Sequence, residues 1–156
     1  MSSRVHEAIT AVVVALNADP AVTGQATVVD GPFITGDDPE TAVYVGYDGD
    51  EDGDYNATEN WSQEWAGLGA QRKNESFDIT CCVISWSGEV AVAARRQAAL
   101  AVLGAVESTL RAAVNIGLGL PSPTVASWSS GQLFQEQGSN GLQARIPFRV
   151  HIETRV

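Results

Sequence analysis

The chain contains 156 residues, of which nineteen are acidic and nine are basic, so its formal net charge at pH 7 is −10. A chain of this length removes roughly 68–70% of its unfolded surface from water when it folds as one domain, so disulfides or a structural metal are not required. The negative charge argues against tight binding to a phosphate backbone, which depends on clustered lysine and arginine. We therefore expect a single domain over residues 1–156 that does not bind nucleic acid specifically.

Targeting segments are not indicated by the sequence. The N-terminal segment lacks the continuous apolar stretch of a signal peptide, because His6, Glu7 and Thr10 interrupt it. No segment has the apolar length that a transmembrane helix requires. The only cysteines, Cys81 and Cys82, are adjacent, so in a strand their side chains point to opposite faces and do not readily form a disulfide with each other. These features predict assembly in a reducing cytoplasm, without a membrane partner.

The first part of the chain predicts one helix and two strands. Apolar residues in segment 5–16 recur at the three- and four-residue spacing of an amphipathic helix, and Ser3 is its expected N-cap. The sequence NADP that follows ends this helix. Two β-branched runs then predict strands at Ala26–Val29 and Ala42–Tyr47, separated by a turn-rich segment.

The second part predicts a long strand, a second helix and several further strands. The sequence ESFDITCCVISW alternates along one apolar face, as expected for a central strand. An alanine-rich segment from Glu89 to Val114 has the periodicity of a helix packed closely on a sheet. Short strands joined by Ser-Gly and Gly-Ser-Asn-Gly turns lead to a long final strand that is apolar at alternate residues from Leu142 to Ile152. This order predicts an α/β protein of the α+β type, with a mostly antiparallel sheet and two helices packed on one face.

A long loop is predicted between two of the strands. From Asp48 to Asn74 the sequence shows no sustained periodicity of either kind. Every charged residue between Gly36 and Glu64 is acidic, so the loop is both acidic and rich in aromatic residues. Loops of this length are uncommon in a compact domain unless they have a function.

The predicted loop opens with a match to the calcium-binding pattern of EF-hand proteins. The carboxylates of the pattern are Asp48, Asp50, Asp52 and Glu59. An EF-hand needs a helix on each side of its loop, whereas the preceding sequence, ETAVYVGY, has the β-branched and aromatic content of a strand. We interpret residues 48–59 as a solvated acidic loop, with divalent-cation binding as the alternative. No metal or other cofactor is predicted.

No catalytic constellation is visible, and the chain is not predicted to be an enzyme. His6 and His151 have no cysteine or histidine at ligand spacing, and neither lies in a recognised catalytic motif. The glycine pairs that begin at Gly67 and Gly117 lack the third glycine of a dinucleotide-binding fingerprint. We interpret both as turns.

Large apolar side chains occur in the predicted loop, where solvent is expected. They are Tyr55, Trp61, Trp65 and Leu68. Tryptophan and tyrosine commonly anchor interfaces, because each buries a large area with few rotatable bonds. The alternative is that these rings fold back on the core of the domain itself. We predict that these four side chains form an interface.

Over its whole length, the sequence resembles the tail terminator (tail completion) proteins of long-tailed siphophages, in the form common among phages of actinobacteria. The resemblance rests on the order and spacing of five segments, none of which is a catalytic signature. They are VHEAITAVVVALNAD, AVYVGYDG, EWAGLGAQRKNESFDITCCV, AARRQAALAVLGAVESTLRA and QEQGSNGLQARIPFRVHIETRV. The acidic EF-like cluster departs from the family pattern.

The resemblance implies a virion subunit that forms a hexameric ring at the head–tail junction, on the head-proximal end of the tail tube, and stops tube polymerisation. Its implied partners are further copies of itself, the tail tube protein and the head-closure or connector protein, and genomic DNA passes through the lumen without specific binding. One alternative is a neighbouring head-closure or tail-tube ring subunit. The other, from a different class, is a divalent-cation-binding module that uses residues 48–59.

Overall fold

The computed structural model of the chain describes residues 3–32, 39–69, 71–88, 91–113, 124–138 and 141–156. Within these ranges the helices are α1 (Val5–Ala18), α2 (Pro20–Thr23) and α3 (Val92–Ala112). The strands are β1 (Thr27–Asp30), β2 (Thr41–Val45), β3 (Thr58–Trp65), β4 (Lys73–Ser87), β5 (Val125–Gly131), β6 (Phe134–Gly138) and β7 (Gly141–Arg155). None of the helices in the described part of the chain is long and apolar enough to cross a membrane.

Two long strands, β4 and β7, form the centre of the sheet. They pair antiparallel, from Asn74 opposite Arg155 to Ser87 opposite Leu142. Each carries two shorter strands along its other edge, so β3 and β2 follow one another along β4, and β5 and β6 along β7. Strand β1 pairs with β2 in parallel, and the other described pairings are antiparallel. The prediction of a mostly antiparallel sheet is confirmed, with β3 and β5 at one end and β2 and β6 at the other.

Pro147 lies inside β7, where a proline would normally remove a ladder hydrogen bond. It is opposite Cys82 of β4, and on the other edge it falls between the residues paired with β6 and those paired with β5. Its carbonyl oxygen accepts the N–H of Gln132 on that edge, at 3.1 Å. Because the nitrogen and carbonyl of a strand residue point to the same edge, the missing donor falls in this gap and the β4–β7 ladder stays intact.

One face of the sheet, here called the helix face, is covered by the helices and holds the main core. On this face β4 contributes Phe77, Ile79, Cys81 and Val83, and β7 contributes Ala144, Ile146, Phe148, Val150 and Ile152. The helices add Ala8, Ala11, Val12, Leu16, Ala99, Val102, Val106 and Leu110. Full burial of a leucine or phenylalanine side chain stabilises the fold by roughly 1.5–3 kcal/mol. The prediction that both long helices pack on one face is confirmed.

The opposite face, here called the outer face, holds a smaller cluster. It consists of Ala42, Tyr44, Tyr47 and Cys82. Cys81 and Cys82 therefore lie on different faces, as predicted, and both are free thiols and buried. Burial raises the pKa of the Cys81 thiol to about 12 and also raises the pKa of Cys82. Both act as small buried apolar groups.

Polar side chains contact the start of each N-terminal helix. The Ser3 hydroxyl accepts the N–H of Val5 at 3.2 Å, but the N-cap position of α1 is Arg4, which makes no side-chain capping hydrogen bond, so the prediction of Ser3 as the N-cap is wrong by one residue. The sequence does not predict α2, in which Asp19 is the cap and its Oδ1 accepts the N–H of Ala21 at 2.9 Å. The other oxygen of Asp19 accepts the hydroxyl of Thr109 in α3. The hydrogen bonds from Thr109 and from the Ala21 N–H lower the pKa of Asp19. This side chain thus joins α2 to α3.

The predicted loop over residues 48–74 is wrong in its second half. Residues 58–65 form β3, and β4 already begins at Lys73. The sequence of β3, TENWSQEW, has polar residues on both faces and therefore lacks the alternation that identifies a strand. The predicted second helix is α3, which begins at Val92. The predicted limits of this helix, Glu89 and Val114, lie outside the described residues.

Candidate assembly surface

Strand β3 and the first half of β4 form a β-hairpin at one end of the sheet. Their register places Gln63 opposite Glu75 and Trp65 opposite Lys73, so these four side chains share one side of the hairpin. Glu75 is two residues before the core residue Phe77, so this side belongs to the helix face.

Glu75 is the centre of the hairpin's attachment to the rest of the domain. Only 1% of its surface is exposed. Its Oε1 accepts hydrogen bonds from the Ser3 hydroxyl, the Trp61 indole N–H and the Gln63 amide, at 2.8, 2.8 and 2.9 Å. Its Oε2 accepts the backbone N–H of Arg4 at 2.8 Å. One carboxylate therefore ties β3 to β4 and both strands to the chain entering α1.

These hydrogen bonds also decide the charge of Glu75. Burial alone would raise the pKa of its carboxyl, but the N–H of Arg4 and the side chains of Gln63, Ser3 and Trp61 outweigh burial and lower the pKa. The positive end of the α1 dipole favours the charged form as well. Glu75 is therefore ionised at neutral pH, and it holds the hairpin as a charged acceptor.

A β-bulge brings Trp61 to this carboxylate. The register of β3 shifts between Glu59 and Ser62. Asn60, inside the bulge, has a φ of 53°, a conformation that asparagine adopts more readily than most residues with a side chain. The Asn60 amide donates to Oδ2 of Asp78 at 2.8 Å, which holds the bulge against β4. The indole of Trp61 consequently lies on the helix-face side of the hairpin.

The hairpin exposes large apolar groups along its length. The exposed fractions are 51% for Trp61 and 65% for Trp65, and Leu68 in the turn is fully exposed. The ammonium of Lys73 lies over the Trp65 ring, 4.9 Å from its centroid. We call Trp61, Trp65, Leu68, Arg72 and Lys73 the aromatic hairpin. Its base is fixed by a buried carboxylate while its apolar side chains remain in solvent, an arrangement typical of interface anchors.

Tyr55, the fourth predicted interface residue, lies elsewhere. Its ring stacks on that of Tyr47, with centroids 5.5 Å apart and planes 12° apart, and Tyr47 packs edge-on against Tyr44. Tyr44 and Tyr47 belong to the outer-face cluster, so Tyr55 is across the sheet from the aromatic hairpin. The structure therefore brings Trp61, Trp65 and Leu68 together on one hairpin and separates Tyr55 from them. Their role in an interface stays a prediction.

The acidic loop, Asp48–Tyr55, is held by its own backbone. Oδ1 of Asp48 accepts the N–H of Asp50 at 2.9 Å, and Oδ1 of Asp50 accepts the N–H of Asp52 at 3.1 Å. In such turns a carboxylate oxygen bonds the backbone two residues ahead. These two oxygens are thus already engaged by the chain itself.

Glu59, the last carboxylate of the calcium pattern, lies outside this loop. It is on β3 and forms an ion pair with Arg149 of β7. Within the described residues, no group of three or more histidine, cysteine, aspartate or glutamate side chains is arranged to hold a metal ion. The four carboxylates of the calcium pattern therefore do not converge on one point; these are Asp48, Asp50, Asp52 and Glu59.

Arg145 supports the acidic loop from the outer face, a role that the sequence does not reveal. Its guanidinium donates to the carbonyl oxygen of Asp48 and to Oε1 of Glu136, both at 3.1 Å, and lies 4.5 Å from the centroid of the Phe134 ring. Gly49 packs on it with a φ of 80°, and a Cβ at this position would lie 2.8 Å from Cδ of Arg145. Alternation alone places Arg145 on the polar side of β7, which gives no signal that it is buried.

Charged residues of β4 and β7 form a network on the outer face. Nδ1 of His151 is 2.7 Å from Oδ1 of Asp78, and Nε2 is 3.3 Å from Oε1 of Glu153. The hydrogen bond to Asp78 raises the pKa of His151, against burial, and Glu153 adds to the rise. Burial would raise the pKa of Asp78, but Asn60 and His151 lower it. His151 is thus part of a partly exposed ion pair.

No protein-family model matches the chain, and no curated protein matches it. Among solved structures, one chain of the virion of a native gene transfer agent (GTA) particle is similar to it. The TM-score is 0.58, the sequence identity is 20%, and the alignment covers 94% of each chain. At this identity the likeness shows a shared fold.

Proposed function

We propose that the chain is a structural subunit of a phage-type virion, and specifically a tail terminator. In this role it forms a ring, a hexamer, on the head-proximal end of the tail tube, stops tube polymerisation and joins the tail to the head connector. Two observations support the proposal: the resemblance of the whole sequence to tail terminator proteins, and the fold shared with a chain of the GTA virion.

A third observation, the aromatic hairpin, carries the part of the proposal that concerns assembly. A tryptophan buries 150–250 Å² when it is fully covered, yet both indoles of the hairpin are at least half exposed. The hydrogen bonds of Glu75 hold the base of the hairpin in place, so Trp65 and Leu68 do not collapse onto the core. An assembly subunit would cover these groups with a neighbouring copy or with the tail tube.

The charge of the chain suits a DNA conduit. A lumen that bound phosphates through clustered lysine and arginine would slow the passage of genomic DNA. With a formal net charge of −10, a ring of this chain would repel DNA instead. In the proposed particle the DNA therefore passes through the ring without specific binding.

Electron microscopy of the purified protein, alone and mixed with tail tubes, tests the proposal. We expect discrete rings that bind one end of each tube and prevent further growth. Replacement of both Trp65 and Leu68 by alanine should abolish this binding while leaving the circular dichroism spectrum unchanged. Val14→Ala is the matched control, because Val14 is 45% exposed on α1, away from the hairpin.

Other outcomes of the same experiment favour the alternatives. Rings that stack without limit would identify a tail-tube subunit, and rings that bind only the head connector would identify a head-closure subunit. A protein that neither self-associates nor binds tubes, but binds calcium through residues 48–59, would be a divalent-cation-binding module. Each of these results would replace the terminator proposal.

A further inference from the structure

The cations of the aromatic hairpin have no carboxylate partner among the described residues. Arg95, Arg111 and Arg149, by contrast, each form an ion pair within the chain. The ammonium of Lys73 contacts the ring of Trp65, and no ion pair of Arg72 or Lys73 lies within the described ranges. The hairpin therefore presents two positive charges beside exposed indole surface.

The acidic loop has the complementary composition. Its exposed carboxylates, which likewise form no ion pair with the described part of the chain, are Asp50, Glu51, Asp52 and Asp54. Tyr55 is 51% exposed, and its hydroxyl donates to the carbonyl oxygen of Glu51 at 2.7 Å. The N–H of Gly53 donates to the carbonyl oxygen of Asp50 at 3.1 Å. The backbone of the loop and the tyrosine ring are thus held in place before any contact is made.

These two surfaces do not meet within one subunit. The aromatic hairpin is on the helix-face side of the sheet, whereas the acidic loop lies on the outer face, over Cys82 and Arg145. Between Lys73 and Cys82, strand β4 spans about 30 Å, since a strand rises about 3.4 Å per residue. A contact between the two surfaces requires two copies of the chain. Because the two surfaces lie on opposite faces of the sheet, one copy presents them to two different neighbours, so the contact is head-to-tail, the kind from which rings are built.

We infer that the aromatic hairpin of one copy docks on the acidic loop of the next copy. Arg72 and Lys73 face the carboxylates from Asp50 to Asp54, and Trp65 covers the exposed side of the Tyr55 ring. This inference rests on the proposed function, for which it names the surface that joins neighbouring subunits. Because the charges are exposed in the free subunit, the association weakens as the salt concentration rises.

Charge reversal with rescue tests the contact in the full-length protein. One variant carries Arg72→Glu and Lys73→Glu, a second carries Asp52→Lys and Asp54→Lys, and a third carries all four substitutions. Arg96→Glu with Arg111→Glu is the control, since it makes the same charge change on exposed residues of α3. Sedimentation at about 50 mM and about 500 mM salt measures assembly, and circular dichroism confirms folding.

The expected result is assembly of the wild type and of the control at low salt, weakened roughly tenfold or more at high salt. Each reversed pair alone stays monomeric, whereas the fourfold variant assembles, and so does an equal mixture of the two reversed pairs. A monomeric wild type, full assembly of either reversed pair, or no rescue would overturn the inference.

The two proposals fail separately. Rings that cap tail tubes and ignore charge reversal would refute the docking contact and leave the terminator function standing. Assemblies that follow the reversal and rescue pattern but do not bind tubes would confirm the contact and refute the function.

Discussion

Trp61 and Glu75 are joined by a hydrogen bond of 2.8 Å from the indole nitrogen to Oε1 of the buried carboxylate. The same carboxylate accepts the N–H of Arg4 and the hydroxyl of Ser3, so a half-exposed ring on the hairpin is linked through one polar group to the start of α1. Moving the hairpin breaks a hydrogen bond to a charged group, which costs about 1.5–3 kcal/mol. The hairpin is thus ordered before it meets a partner, and this order lowers the entropic cost of association.

Replacing Glu75 by glutamine should lower the free energy of unfolding by about 2–3 kcal/mol, because the amide brings two donors to a site already filled by donors. Urea denaturation of the dilute monomer at pH 7 measures this change. Glu64→Gln is the control, since Glu64 is exposed on the same hairpin, and its effect should stay within about 0.5 kcal/mol. Equal effects of the two substitutions would contradict the role given to Glu75.

The same variant carries a pH signature. The folded-state pKa of Glu75 is lowered, so its contribution to stability is present above the ordinary value of 4.5 and is lost as the pH falls through the folded pKa. The stability difference between wild type and Glu75→Gln should therefore be constant near neutrality and shrink in acid. A stability difference that grows as the pH falls would contradict this prediction.

The two tryptophans of the hairpin should behave differently in the monomer. Trp61→Ala removes a donor to Glu75 and should cost about 1 kcal/mol of stability or more, whereas Trp65→Ala should change stability by less than about 0.5 kcal/mol. Both should weaken assembly, each by about 2 kcal/mol if it anchors the interface. Thermal unfolding of the monomer and sedimentation of the assembly separate these effects. A large loss of thermal stability in Trp65→Ala would place that ring in the core of the subunit.

His151 predicts a second pH dependence, of opposite sign. Its folded-state pKa is raised, so the stability it adds is complete below the ordinary value of 6.5 and is lost as the pH rises through the folded pKa. Urea denaturation of wild type and His151→Gln should therefore differ most in mild acid, by less than about 1 kcal/mol because the pair is partly exposed. His6→Gln is the control on exposed α1 surface. A difference independent of pH would argue against the ion pair with Asp78.

The cysteines are expected to be unreactive in the native protein. Cys81 and Cys82 are both buried, and burial raises both thiol pKa values, so little thiolate is present to attack a thiol reagent. Labelling should occur only after unfolding, and reductant should leave the assembly unchanged. Replacement of either cysteine by serine should cost roughly 1–3 kcal/mol, because the hydroxyl needs a partner on its face of the sheet. Unfolding by reductant alone would contradict this prediction.

Calcium should not bind the Asp48–Glu59 segment with the affinity of a sensor, because Arg149 already pairs with Glu59 and the flanking elements are strands. Calorimetric titration measures the affinity. A micromolar dissociation constant abolished by Glu59→Gln would overturn the prediction, whereas weak screening of the acidic loop at millimolar calcium agrees with it.

The sequence predicts a helix or strand only where the spacing of its apolar residues marks that element. β7 and α3 repeat apolar residues at the periods of two and 3.6, so both are recognised, as is the split of Cys81 from Cys82. Strand β3 is held in place by its pairing with β4 and by hydrogen bonds to the buried Glu75 of β4. The residues of β3 alone do not reveal either interaction. The same limit applies to the assembly surface. Composition marks Tyr55 and Trp65 as candidates, but only the pairing of strands shows that they lie on opposite sides of the sheet.

The central pair of strands has a kinetic consequence. Asn74 and Arg155, which face each other across β4 and β7, are 81 positions apart in the chain. Even the ladder pair nearest in sequence, Ser87 and Leu142, is 55 positions apart, so a long loop has to close before the central ladder forms, and contacts this distant slow folding. During translation, β4 leaves the ribosome well before β7 exists, with the apolar side chains of Phe77 and Ile79 unpaired. The newly made subunit therefore passes through a stage that invites aggregation or chaperone binding before the sheet closes.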